Sequence, residues 1–363
     1  MSLAQLGPVI VCSFIGGTLA DAVDRRKVLI GANIAMTFTS VGLALNASGD
    51  HAAVWPLYVC TALSAGFSSM DSPTRSAVVP SLVGRERIPA AAALNQIGYQ
   101  AGSVIGPALA GVVIGTLSLS AAYWFDVATF VVSLFLLLRL PALLPEGGGT
   151  KAGLGSVKEG LRYAREERVV QGVFLIDIDA MVFGMPRALF PQLGTELFHG
   201  GAGAVGLLYA APGVGAFLGA ATTGWVNGVR RQGAAVLWAV AAWGIAIALF
   251  GVSTWLPLGL LFLAIAGAAD VISAVFRGTI LQLHVPDRLR GRLNALNIAV
   301  VTGGPRLGDV ESGVVATAAS VQVSVVTGGL ACVAGVLVLA RVIPELGRWR
   351  ATPEATDSLG RLT

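Results

Sequence analysis

Apolar runs long enough to cross a bilayer follow one another with little interruption from residue 3 to residue 342. A membrane-crossing helix needs about 20 predominantly apolar residues. The 363-residue chain offers eleven such runs, near 3–20, 27–46, 54–71, 91–115, 120–140, 170–193, 202–226, 233–252, 255–276, 293–317 and 322–342. Only 12% of its residues are charged, where a soluble domain carries about 25%. No soluble core of this size could hide so much apolar surface, so the expected fold class is all-α, a polytopic membrane protein built from helical bundles.

The basic residues give this array an orientation. Every Lys and Arg except Arg187 and Arg306 falls in one set of alternate loops: Arg25 to Lys27; Arg75, Arg85 and Arg87; the run from Arg139 to Arg168; Arg230 and Arg231; Arg277 and Arg288 to Arg292; and Arg341 to Arg361. The opposite loops, near 47–53, 116–119, 194–201, 253–254 and 318–321, contain none. Lys and Arg accumulate on the cytoplasmic side, which places the C terminus inside. A preference for Arg over Lys, with abundant Ala and Gly, points to a GC-rich bacterial genome, and the expected location is the bacterial inner membrane. The net charge of +4 therefore records topology and not nucleic-acid binding. Cys12, Cys60 and Cys332 lie inside apolar runs and read as core thiols, with no metal-ligand spacing.

A Pro/Gly stretch, "PALLPEGGGT", divides the chain, and "KAGLGSVKEGLRYAREER" follows it with Leu154, Val157, Leu161 and Ala164 at helical spacing. The expected organisation is an N-terminal half-bundle over 1–140, a cytoplasmic linker with an interfacial helix over 141–168, a C-terminal six-helix half-bundle over 169–343 and a cytoplasmic tail over 344–363. The halves repeat. Arg75, Val79-Pro80 and Ala93-Leu94-Asn95 return in the same order as Arg277, Val285-Pro286 and Ala295-Leu296-Asn297. Five runs precede the linker and six follow, so this symmetry predicts one more helix ahead of residue 3.

The stretch Gly17-x-Leu19-Ala20-Asp21-x-x-x-Arg25-Arg26 resembles the signature between the second and third helices of the major facilitator superfamily. Here it follows the first run, so the resemblance implies a chain without the first helix of that family. "SPTRSAVVPSLVGRERIPAAAALNQ", "LLYAAPGVGAFLGA" and "VPDRLRGRLNAL" are most similar to its enterobactin-exporter branch. The resemblance implies alternating access of two halves, as a monomer, with Gly17, Asp21, Arg25 and Arg26 acting in a cytoplasmic latch. Ala22 and Asp24 depart from the family pattern. Those charges would equally serve to mark a membrane boundary. Gly102, Gly106, Pro107 and Gly111 resemble a signature of the superfamily's exporters, with Ala110 in place of one Gly. Independently of the family, Gly98, Gly102 and Gly106 share one helix face and permit close helix contact, and Pro107 can bend the helix.

Ionisable residues within a span cost about 2.5–3.5 kcal/mol each at its centre, which makes each one a candidate for function. Asp126 lies in the fifth run, Asp177 and Asp179 in "FLIDIDAM", and Arg306, Asp309 and Glu311 in "GGPRLGDVESG". Asp309 stands three residues after Arg306, close enough to pair on one helix face. Glu311 is left without an obvious local partner, and desolvation favours its neutral form. Glu311 and Asp309, with Arg306 as counter-ion, are therefore the first candidates for proton coupling, and Asp177 and Asp179 the second. Each of these acids would equally serve to hold helices in register. Asn95, Gln96 and Tyr99 open a helix facing the cytoplasmic entrance and are candidates for the substrate cavity. Tyr123, Trp124, Tyr209, Trp238 and Trp243 could stack on a planar ligand or belong to the interfacial belt.

The expected function is secondary active, proton-coupled export of an enterobactin-like siderophore or an amphipathic small molecule. Multidrug efflux, or uncoupled facilitation or import of another small molecule, is the alternative. No cofactor is expected. No G-x-x-x-x-G-K-[ST] loop supports direct ATP drive, and neither H-E-x-x-H nor G-x-S-x-G supports an intramembrane enzyme. The partners are thus a small-molecule substrate, the proton gradient and the lipid bilayer.

Overall fold

The computed structural model describes residues 4–5, 7–9, 11–12, 23–49, 52–83, 88–142, 161–222 and 228–350. Among the described residues all regular structure is helical: α1 (Arg25–Ser48), α2 (Val54–Val83), α3 (Ile88–Thr116), α4 (Leu119–Leu138), α5 (Arg168–Phe183), α6 (Gly201–Ala221), α7 (Gln232–Val252), α8 (Leu256–His284), α9 (Asp287–Ala318), α10 (Val321–Val342) and the short α11 (Pro344–Arg348). Helices are what a bilayer permits, because they satisfy every backbone donor and acceptor internally. Seven of the described helical segments are long and apolar enough to span a membrane, and α2, α3 and α9 run to 30, 29 and 32 residues. The chain divides into two compact units, residues 1–102 with 109–150, and residues 151–363 with 103–108.

In the first unit α1 packs against α2 and α4. A row of polar contacts joins α1 to α4, which runs antiparallel to it. Arg26 Nη2 donates to the Leu138 carbonyl (2.6 Å), Asn33 Nδ2 to Ser133 Oγ (3.0 Å) and Ser40 Oγ to Asp126 Oδ2 (2.6 Å), and the Ser48 and Ser120 hydroxyls meet at 2.5 Å. Positions 26, 33 and 40 stand two turns apart and share one stripe of α1. Such hydrogen bonds act as glue between helices that gain nothing from hydrophobic burial in lipid. They also account for Asp126, whose carboxylate is held by Ser40.

The second unit is closed by glycines. A Cβ at Gly215 of α6 would strike the Ala264 carbonyl oxygen of α8, and one at Gly267 of α8 would strike the Pro212 carbonyl oxygen of α6. The backbones touch there because neither glycine carries a side chain. Near the linker, Ala164, Val170, Phe174, Val285, Leu289 and Leu293 form a small buried cluster. Leu154 and Val157 of the expected interfacial helix lie outside the described residues, and Leu161 is exposed.

Three expected boundaries shift. The runs 54–71, 255–276 and 293–317 end where hydropathy falls, yet α2 continues to Val83, α8 to His284, and α9 begins at Asp287. Charged side chains within a helix lower its hydropathy without breaking its hydrogen-bond ladder. Asp71 and Arg75 even support the extension of α2 as an ion pair four residues apart (3.1 Å). The fourth shift is a break. The run 170–193 is not one straight helix: α5 stops at Phe183, and after Gly184–Pro186 the chain resumes as a 3₁₀ turn (Arg187–Leu189), an α-helical turn (Phe190–Gln192) and a π-helical turn (Leu193–Leu197). Pro186 cannot donate to the preceding turn.

Replacing Gly267 by Leu is expected to force α6 and α8 apart. Overpacking costs about 1–3 kcal/mol, so the melting temperature of the detergent-solubilised protein should fall by several degrees and monodisperse yield should drop. Gly98→Ala, where a Cβ meets nothing within 4 Å, should leave both unchanged.

Candidate functional site

The second unit gathers a set of charges that a bilayer-embedded bundle must balance. Its helices carry the carboxylates Asp177, Asp179, Asp270, Asp309 and Glu311 and the guanidiniums Arg187, Arg277 and Arg306. Arg277, expected in a cytoplasmic loop, instead sits within α8, is 6% exposed and pairs with the buried Asp177 of α5. Its Nη2 lies 4.0 Å from Asp270 Oδ1, whose side chain remains 31% exposed. At about 4 Å and an effective dielectric near 20, opposite charges attract by about 4 kcal/mol before desolvation is subtracted. One guanidinium thus faces two carboxylates, one held closely and one at the edge of ion-pair range. Asp177 Oδ2 and Ser273 Oγ are buried without a hydrogen-bond partner among the described residues.

Asp179 is also buried, two residues further along α5, and its Oδ2 has no hydrogen-bond partner among the described residues. Its carboxylate lies against Gly335 of α10, where any Cβ would overlap it, and beside Cys332. The break after α5 is held from two sides. Trp243 Nε1 of α7 donates to the Gly184 carbonyl (2.9 Å), and Tyr209 Oη of α6 donates to the Arg187 carbonyl (3.0 Å). Arg187 itself is exposed. Its guanidinium acts electrostatically on Tyr209 and Asp270, and Asp309 acts on Tyr209 in turn.

Arg306 and Asp309 lie one turn apart on α9 and attract each other, while Arg306 Nη1 is buried without a hydrogen-bond partner. Glu311 is half-buried and forms no ion pair among the described residues. The structure therefore brings Asp177, Asp270 and Arg277 into one cluster and links Arg187, Tyr209, Arg306 and Asp309 around the break. Asp179 and Glu311 stand apart from both.

The remaining sequence candidates lie in the first unit, except Gly106 and Pro107, whose segment 103–108 is grouped with the second. Gly17 and Asp21 lie outside the described residues. Arg25 and Arg26 open α1, where Asp24 Oδ1 caps the helix by accepting from the Arg26 amide (3.0 Å). Gly102 and Gly106 are exposed, and among the described residues a Cβ at either meets nothing within 4 Å, so the close contact expected of that face is not seen among them. Pro107 lies inside α3, and Gly111 is buried. Asn95 is exposed on α3. Gln96 and Tyr99 share that helix, but their side chains lie outside the described residues.

Two residues of the cluster escaped sequence reasoning. Asp270 reads as an interfacial acid and Arg277 as a loop cation when only hydropathy windows are considered. The available signal was their spacing of seven residues, two helical turns on one face, followed by the apolar "TILQL".

The same architecture occurs in solved transporters. The nucleoside transporter NupG superposes with a TM-score of 0.73 at 14% identity, covering 95% of this chain and 89% of that one. A bacterial homolog of the human lysosomal transporter Spinster gives 0.73 at 14%, covering 97% and 90%. The model of the transmembrane secretion effector family matches residues 2–356. The chain belongs to that family, within the major facilitator superfamily. Among its curated relatives, the enterobactin exporter EntS of Citrobacter koseri is 31% identical over 343 residues, 94% of this chain and 82% of the relative. EntS of Shigella boydii is 31% identical over 356 residues, 97% and 85%. This secretion effector is accordingly a multi-pass membrane protein of the transport class.

Asp177→Asn should leave Arg277 without its principal counter-ion. Removing one partner of a buried pair costs about 3–5 kcal/mol, and the melting temperature should fall accordingly. The double change Asp177→Asn with Arg277→Gln should recover part of the loss; a double variant no more stable than the single would deny the pair its structural weight.

Proposed function

We propose that this protein exports an enterobactin-like siderophore, or an amphipathic small molecule, across the bacterial inner membrane. Transport proceeds by alternating access, driven by inward proton flow, with the C terminus in the cytoplasm and the monomer as the working unit. The observation that carries this reading is the alignment with enterobactin exporters over nearly the whole chain. The charge distribution supports it. Arg187 and Arg306 are cations that an acidic substrate could meet inside the second unit, and Tyr209 feels the charge of Arg187. Glu311, half-buried on α9, is proposed to take and release a proton during the cycle, with Asp309 and Arg306 setting its surroundings. Asn95, Gln96 and Tyr99 are proposed to contact the substrate on its path, and Gly17, Asp21, Arg25 and Arg26 to act at the cytoplasmic latch.

The test is mass spectrometry of medium from iron-starved source cells with the gene intact, deleted, or restored as this reading frame. Deletion should remove most of the catecholate siderophore from the medium, and the restored frame should return it. An unchanged medium would reject siderophore export in favour of dye or drug efflux. In proteoliposomes, Glu311→Gln should slow gradient-driven efflux at least tenfold, about 1.4 kcal/mol in the barrier, while exchange without a gradient persists. Efflux that ignores both the gradient and Glu311→Gln would identify an uncoupled facilitator.

A further inference from the structure

The cluster between α5 and α8 carries a net charge that does not close. Arg277 cannot shed its proton, and it stands between Asp177 and Asp270, so with both acids ionised the group bears one surplus negative charge. A surplus charge is costly where water is scarce. The two acids are not equivalent. Asp177 is 1% exposed and takes the nearer side of the guanidinium, whereas Asp270 lies 4.0 Å from Nη2 and its side chain is partly exposed. Asp270, Ser273 and Arg277 occupy positions i, i+3 and i+7, one face of α8. Ser273 is fully buried there, and its hydroxyl has no hydrogen-bond partner among the described residues. Two orphaned polar atoms, Asp177 Oδ2 and Ser273 Oγ, thus border the same ion pair. A dry bundle would not retain them without something to satisfy, since buried polar groups are normally hydrogen-bonded.

We infer that Asp177, Asp270, Ser273 and Arg277 form a proton-binding site of the transporter in which Asp270 accepts the proton and Asp177 holds Arg277 in place. This deepens the export reading and rests on its proton coupling. On loading, an O–H bond forms at the Asp270 carboxylate, Arg277 keeps all its protons, and the triad passes from one negative charge to none. On release the Asp270 carboxylate competes with Asp177 for Arg277 and weakens the tie between α5 and α8. The break at Gly184–Pro186 lies at the end of that same α5, so the protonation state reaches the irregular segment through one short helix. Among the described residues, Arg277 on α8 itself, Asp177 on α5 and Arg187 on the turn after it act electrostatically on Asp270. Asp179 on α5, Tyr209 on α6, and Arg306, Asp309 and Glu311 on α9 are further titratable groups of the second unit, and α7 has none.

Dicyclohexylcarbodiimide, which adds to protonated carboxyl groups in apolar surroundings, tests this without any substrate. Peptide mass spectrometry of the purified full-length protein should find the adduct on Asp270 at pH 6 and at least fivefold less at pH 9, with Asp177 unlabelled. In proteoliposomes Asp270→Asn should lose gradient-driven efflux of enterobactin at least tenfold and keep exchange, and Asp270→Glu should restore much of the drive. An unlabelled Asp270, or an Asp270→Asn variant that keeps gradient-driven efflux, overturns the proposal. Should Asp270→Asn fold poorly, the labelling of wild type alone decides. Labelling of Asp270 in a wild-type protein that does not move enterobactin would uphold the site while rejecting the siderophore.

Discussion

A guanidinium keeps its proton at any depth in a membrane, so wherever a helix carries Arg277 into a bundle, an anion has to come with it. That requirement organises the second unit. Asp177 meets the charge from α5 and Asp270 from the same helix as the arginine, and α5 and α8 are thereby held in one register. The broken end of α5 can then be held by hydrogen bonds from Trp243 and Tyr209. Buried pairs contribute little net stability against apolar replacements. What the arrangement provides is a defined relation between two helices that depends on protonation.

The two units solve the problem of cohesion in lipid differently. The first joins α1 to α4 through a row of hydroxyl, amide and guanidinium contacts, ending at Arg26 on the Leu138 carbonyl. The second brings α6 and α8 together by removing side chains altogether at Gly215 and Gly267. Both routes follow from one physical fact: apolar side chains lose nothing by facing lipid, so helices must attract each other by close packing or hydrogen bonds.

Much of this was legible in the sequence. Run lengths and the placement of Lys and Arg indicated an all-helical membrane protein, and the Asp21 to Arg26 stretch pointed to the superfamily. The helix ends were less legible, because hydropathy reports how apolar a segment is and a helix persists through charges that find partners. Arg277 was therefore assigned to a loop while "TILQL" beyond it continued the helix. The break was half visible in "GMPRALFP", whose prolines cannot sustain a ladder, yet nothing local announces that Trp243, nearly 60 residues on, caps the exposed carbonyl. Contacts between distant helices, such as Asp177 with Arg277, carry no sequence period at all.

The internal repeat extends into the caps. Ser118 opens α4 by accepting from the Ala121 amide, and Ser320 opens α10 by accepting from the Val323 amide, at the same offset that separates Arg75 from Arg277. Within this shared template the two arginines have parted ways. Arg75 is exposed and is satisfied by Asp71 one turn earlier on its own helix, while the position one turn before Arg277 is Ser273. Without an acid one turn away, Arg277 takes its counter-charge from Asp177 on the neighbouring α5. A repeated template can in this way satisfy one cation within its own helix and use the other to tie two helices together.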